Sequence, residues 1–418
     1  MSKLSGAPSP HYRWNFYAFL VDYASFGLAF TFIDVSTVMP ALVGQLTDSA
    51  PIIGLVNTIF TGAWLLPQLA TARYINNKPR KKPYLLAGLG GRVFLGMIAA
   101  ALWTALPRYP ISMLALFFIC LGLFAAADGF TSVAWFDILA RAIPLKQRGR
   151  LMGTAQFIIG VAGIGAGALV GLILAHRPFP SNYAMLFTLA SVALVPSAIA
   201  LILLREPPPN DVSQETSNQT QENWWKLLVS DRAFRNLMIC RILVGMMGLA
   251  TSFYVGHAAD VLHLPPSIIG DFVVAQTLTR IVTSIVLGWV SERWGPRYVI
   301  RIGSAAAAAG PLFALSVHLA GGDWLAWAYP LVYVALGIVN SAWMLGFFNY
   351  LLEIAPDGMR PAYVGLGNTL MGALTLAPMA GGWLLETTSY TALFGATAAI
   401  VALGFLFTLK LKPAQSES

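Results

Sequence analysis

The 418-residue sequence predicts an all-α membrane protein, with twelve transmembrane helices in two pseudo-symmetric six-helix bundles. Three observations carry that expectation: composition, the placement of positive charge, and an internal repeat. Hydrophobic residues make up 57% of the chain, charged residues only 11%, and mean hydropathy is +0.68. A soluble chain carries about 25% charged residues, so this composition excludes a cytosolic enzyme, a nucleic-acid module and a secreted disulfide scaffold. Cys120 and Cys240 fall in apolar runs without metal-ligand spacing and read as small buried hydrophobes. The first apolar run shows no cleavable signal pattern and is long enough to stay as a span.

A spanning helix needs about 20 mostly apolar residues. On that basis the spans fall near 15–38, 52–72, 84–106, 110–138, 150–175, 182–204, 234–258, 267–290, 297–318, 324–351, 360–384 and 389–409. An even number of spans puts both termini on one side. That side holds 21 of the 26 basic residues, including the run Arg80, Lys81 and Lys82 and the cluster Lys146, Arg148 and Arg150. The other side holds Arg108 and Arg177 alone. Cytoplasmic loops are rich in Lys and Arg, so the termini and the even-numbered connections are expected in the cytoplasm, with the chain in the cell membrane. The same topology accounts for the net charge of +8 without a nucleic-acid partner.

The longest polar stretch starts at Arg205 and includes PPPNDVSQETSNQTQEN, which cannot bury apolar surface. It divides the chain into an N-terminal six-helix bundle (1–204), a cytoplasmic linker (205–232) and a C-terminal six-helix bundle (233–418). The bundles are related in sequence. Residues 128–160 align with 340–372 without a gap, pairing Asp128 with Asn340, Phe136 with Phe348, Asp137 with Asn349, Pro144 with Pro356, Arg148 with Arg360 and Gln156 with Asn368. The first and seventh spans match through Asn15 and Asn236, Gly27 and Gly248, and Phe32 and Phe253. A parallel repeat of this kind predicts a binding site at the interface of the halves, near the midplane.

The segment after the eighth span reads Gly288-Trp-Val-Ser-Glu292-Arg293-Trp-Gly295-Pro-Arg297. It resembles the loop signature G-x-x-x-D/E-R-x-G-x-R/K of the major facilitator superfamily in its second-half copy. The connection Pro144 to Gly153, with Arg148 and Arg150, resembles that family's motif between the fourth and fifth helices. The resemblance extends over nearly the whole chain and implies the major facilitator fold and secondary transport, without naming a substrate. It further implies that Asp137 and Glu353 pair with loop arginines such as Arg148 and Arg360 in a conformational latch, together with Gly288, Glu292, Arg293, Gly295 and Arg297. The first-half copy of the loop signature departs from the pattern. Arg73 to Pro83 is basic and has no acid.

An ionisable side chain at a helix centre costs about 2.5–3.5 kcal/mol on insertion scales, and those that remain face a wet cavity or a partner. Asp128 lies about 15 Å from the cytoplasmic end of its span at 1.5 Å per residue, and Thr131, Ser132 and Trp135 share its face. It is expected to bind a proton or a cationic group; satisfaction by the neighbouring hydroxyls is the packing alternative. Arg280, with Gln276 one turn before it, is too deep to snorkel and needs a carboxylate from protein or cargo. Asp34 fits a functional carboxylate and an extracellular-end cap equally. Asp22, Arg92 and Arg241 sit nearer the cytoplasmic boundary, where snorkelling or a structural ion pair competes with function. Asn57, Gln156, Asn340, Asn368 and Trp343 are candidates for contacting the solute, with interhelical bonding the alternative.

His257, Asp260 and His263 step by three residues, but the third drifts around the helix, so no metal is expected. His11, His176 and His318 are scattered near interfaces. Ala377 to Gly382 hints at a bend in the eleventh span. There is no nucleotide-binding Gly-Lys-Ser/Thr sequence, no set of residues for an enzyme, and no cofactor is called for. The expectation is a monomeric secondary active transporter of a small organic or amphipathic solute, coupled to protons, with export favoured by family analogy. The alternatives are a lipid flippase, a transporter-like receptor and a proton-coupled uptake permease.

Overall fold

The computed structural model describes residues 11–76, 78–208, 231–321, 326–356 and 359–412. Among these residues the chain forms twelve successive helical spans joined by turns and short connections. In the first half they are α1 (Tyr12–Phe32, continued by Val38–Gly44), α2 (Ala50–Asn76), α3 (Lys82–Leu102), α4 (Pro110–Ala142), α5 (Leu145–His176) and α6 (Ser181–Leu203). The second half has α7 (Arg232–Val261), α8 (Ile268–Trp294), α9 (Pro296–Ala320), α10 (Leu331–Ile354), α11 (360–387) and α12 (Tyr390–Thr408). Ten described segments are long and apolar enough to cross a bilayer; α1, which carries Arg13, Asn15 and Asp22, and the interrupted α11 lie outside that set.

Local chemistry sets the helix ends. Asp231 caps α7, accepting hydrogen bonds from the amides of Ala233 (2.8 Å) and Phe234 (3.1 Å). Gly295 ends α8 at φ 86°, a conformation that a side chain resists, and Pro296 opens α9. Several helices are interrupted: α3 by a 3-10 turn at Gly90–Arg92, α7 by turns after Gly245 and Thr251 and a π-helical stretch at His257–Val261, α10 by a π-helical stretch at Trp343–Phe348, and α11 by a 3-10 turn at Ala373–Leu376. The last lies directly before the expected bend.

The chain forms two compact units. One comprises the residues up to Asp34 and from Ile59 through α6; the other comprises Val35–Thr58 and everything from α7 onward. Inside the first unit α1 packs on α6, α3 on α6 and α3 on α4. The second unit shows the corresponding pairs, α7 with α12, α9 with α12 and α9 with α10. The repeat read from Asp128 and Asn340 is therefore also a repeat of packing. Lipid is as apolar as leucine, so close approach and polar bonds set such packing. A Cβ on Gly129 would stand 2.2 Å from the Trp64 carbonyl oxygen, and one on Gly91 would stand 2.2 Å from the Ala127 Cβ. These two glycines draw α2 and α3 onto α4 beside Asp128.

Candidate transport site

In the first unit the close approach of α3 to α4 sets Arg92 and Asp128 on the wall of one small cavity of about 10 Å³, with Gly88, Gly91 and Phe124. Asp128 accepts a hydrogen bond from the Trp64 indole nitrogen at 3.0 Å. Thr131 and Ser132 do not turn to the carboxylate; they donate to the carbonyls of Ala127 and Gly129 in their own helix. Trp135, on the same face, donates its indole N–H to Asp22 of α1 at 2.7 Å.

Asp22 is 5% exposed and is the hub of the group. It accepts from Trp135 and from the Ser197 hydroxyl of α6, and pairs with Arg92 at 3.5 Å. Arg92 also donates to the Leu194 carbonyl at 3.0 Å. Four helices thus converge on one ion pair, with Phe19 edge-on to Trp135 at 5.2 Å. Of the open readings for Asp22 and Arg92, the structure selects a mutual ion pair. With Asp128 on the same cavity, two carboxylates stand around a single guanidinium. Between α3 and α6, Arg92 also lines an open groove of about 410 Å³, with Val93, Met97, Leu194 and Val195.

The end of this unit where α4 finishes and α3 begins carries a second charged group. Arg141 donates to Asp137 at 2.7 Å and 3.0 Å, to Glu206 at 2.8 Å, and to the Pro207 carbonyl at 2.9 Å. Glu206 in turn accepts the backbone amides of Lys81 (2.7 Å) and Lys82 (3.0 Å) at the start of α3. The acid missing from the Arg73–Pro83 stretch is supplied here from beyond α6. Burial lowers the pKa of the Lys81 ammonium below its ordinary value. Arg148 donates to the carbonyls of Ala140 (2.6 Å) and Ile143 (3.0 Å), closing the end of α4, rather than to Asp137.

The other expected residues are dispersed. Asp34 follows the end of α1, half-buried, and Gln156 donates to the Tyr23 hydroxyl at 3.1 Å. Asn57 bonds the Val35 carbonyl (3.1 Å) and the Ser252 hydroxyl (2.8 Å), all within the second unit. Gln276 has a buried side-chain oxygen without a donor, and Arg280, one turn on, is half-buried. Asn340 and Asn368 are exposed, and Trp343 opens the π-helical stretch of α10. In the loop signature Arg293 lies over Trp289 at 5.8 Å and Arg297 over Tyr298 at 4.9 Å, while Glu292 is exposed. Glu353 is exposed near the end of α10; the Arg360 side chain lies outside the described residues.

Sequence reading passed over two groupings. His257, fully buried, hydrogen-bonds Tyr329 at 3.0 Å and His318 at 3.1 Å, while Asp260 and His263 face outward. Arg241 of α7, buried, lies over the Trp343 ring at 4.9 Å. Among the described residues no three metal-ligand side chains cluster.

A fold of two six-helix repeats, with an ion pair and a further carboxylate inside one of them, is that of a polytopic membrane protein. The family model of the Major Facilitator Superfamily matches residues 24–374, and again 237–418; the chain belongs to that family. Uncharacterized proteins of Mycobacterium tuberculosis and Mycobacterium bovis are each 24% identical over 273 residues, covering 64% of this chain and 52% of theirs. The chain therefore spans about half the length of these curated relatives. Solved structures similar in fold include a nucleoside transporter, NupG (TM-score 0.67, 12% identity, 95% of this chain and 99% of that one). A bacterial homologue of the iron transporter ferroportin aligns with TM-score 0.69 and 14% identity over 96% and 98% of the two chains. The xylose transporter XylE of E. coli aligns with TM-score 0.67 and 14% identity over 97% and 99%. Membership of this family is in keeping with the multi-pass membrane helices of the fold.

Proposed function

We propose that the protein is a secondary active transporter that moves a small organic or amphipathic solute by alternating access, coupled to protons and working toward export. One observation carries the coupling: Asp22 and Asp128 stand around the single guanidinium of Arg92 inside the first unit. Arg92 offsets one carboxylate. The other is an uncompensated charge in a poorly hydrated bundle, and binding a proton removes that cost. Asp22, fixed by three partners, is the structural member, and Asp128, held by one indole, is the exchangeable one. A D-xylose–proton symporter of similar fold (TM-score 0.69, 17% identity) is in keeping with proton coupling on this scaffold.

The solute contacts proposed are Trp135, Asp34, Asn57, Gln156, Gln276, Arg280, Asn340, Trp343 and Asn368. The latch is assigned to Gly288–Arg297 with Asp137, Arg148, Glu353 and Arg360, extended by Arg141 and Glu206, whose bonds join α3, α4 and the end of α6. The protein is proposed to be a monomer in the cell membrane, and the charge asymmetry of the loops favours cytoplasmic termini. A second reading, lipid-like cargo, draws on the apolar groove between α3 and α6.

The test is proton movement in proteoliposomes with an acidic lumen, read by a pH dye, as soluble and lipid-like solutes are added in turn. Solute-triggered proton efflux that is lost in Asp128→Asn is the expected result. Proton movement in the same direction as the solute would replace export with uptake. A response to lipid-like solutes alone would favour the second reading, and no response across the panel from folded protein would remove proton coupling.

A further inference from the structure

Arg241 sits nine residues into α7, about 13 Å from its start at 1.5 Å per residue. It is 6% exposed, and its Nε and Nη1 are buried without a hydrogen-bond acceptor. Among the described residues no carboxylate lies within ion-pair distance; the ion pairs described are Arg92–Asp22, Arg141–Asp137 and Arg141–Glu206, all in the other unit. What the second unit supplies is the face of Trp343, 4.9 Å from the guanidinium carbon. Stacking holds the plane of the fork and leaves its N–H edge free to donate. On α11 the residue beside Nη1 is Gly367, where even a Cβ would stand 3.5 Å away, so no side chain of that residue fills the edge. Trp343 also opens the π-helical stretch of α10, a local irregularity that recurs at functional sites.

A buried guanidinium demands an anion, and here the fold provides an aromatic wall without one. We infer that Arg241, stacked on Trp343, is the anion-binding element of the cargo site, and that the cargo carries a carboxylate. The one guanidinium stacked on this indole matches one negative charge, which favours a carboxylate over a doubly charged phosphate. The flat indole offers the apolar part of the solute a surface to lie on. This inference rests on the transporter reading above and names its substrate class.

The experiment is binding to the purified full-length protein by tryptophan fluorescence, using acetate, butyrate, benzoate and indole-3-acetate, each paired with its neutral amide. Wild type is expected to prefer at least one acid over its amide by about tenfold or more, the worth of a charge-assisted hydrogen bond. Arg241→Met should abolish that preference and Arg241→Lys should retain part of it, since a lysine keeps the charge without the fork. Equal binding of acids and amides by wild type, or no binding of any acid, would overturn the inference, as would an acid preference that survives in Arg241→Met. The wild-type acid–amide comparison stands even where a variant fails to fold. Solute-coupled proton flux with a neutral solute would leave the transporter reading intact while this one fails.

Discussion

The two units treat buried charge in opposite ways. In the first, Arg92 meets Asp22, and Asp22 meets Trp135 and Ser197, so that α1, α3, α4 and α6 are tied through one carboxylate. In the second, Arg241 meets an indole ring and no anion among the described residues. The packing pairs repeat between the units, so the contrast does not come from the scaffold. It comes from a few substitutions on it: at the offset that pairs Gly27 with Gly248, Asp22 corresponds to Leu243 and Arg241 to Leu20. One unit closes its charges on itself, and the other leaves a charge for something that arrives. A transporter has reason to keep both, a group that holds or releases a proton without coming apart and a group that is incomplete without cargo.

Substitutions separate the two treatments. Asp22→Ala should have the largest effect, a loss of about 3–5 kcal/mol, because it strands Arg92 and leaves Trp135 and Ser197 without their acceptor; thermal unfolding in detergent measures it. Arg92→Met should cost several kcal/mol for the same reason in reverse, leaving Asp22 and Asp128 facing each other without a cation. Gly129→Val should cost about 1–3 kcal/mol by driving α4 off the Trp64 carbonyl, and with it Trp64 off Asp128. Arg241→Met should cost no stability and should stabilise if anything, since no ion pair is broken and an uncompensated buried charge is replaced by a hydrophobe. Equal costs for Arg92→Met and Arg241→Met would erase the distinction between the units.

How much of this was legible depends on the range of each signal. The spans follow from apolar runs, and the repeat follows from Phe136, Pro144 and Arg148 recurring in order at one offset, with Asn340 in the place of Asp128. Asp128 stands out because it is a carboxylate at mid-span. Its partner did not, because Trp64 in an apolar run disturbs no pattern. Asp22 and Arg92 were visible as charges but not as a pair, since 70 residues and two connections separate them. Glu206 was hidden in a stretch read as linker, although its carboxylate binds the start of α3. His257 and His318 lie 61 residues apart, and only the packing of α7 on α9 brings their rings together. Sequence leaves Arg241 open between snorkelling, a structural ion pair and function; what decides is the absence of a nearby acceptor among the described residues, which no sequence pattern displays.

The central claim is that Asp128 carries the proton while the rest of the charged group holds the bundle together. It is tested most directly by comparing gradient-driven transport with solute exchange in Asp128→Asn proteoliposomes. Preserved exchange of labelled for unlabelled solute, with loss of movement driven by a pH gradient, is the predicted result. Gradient-driven transport at the wild-type rate in Asp128→Asn would contradict it.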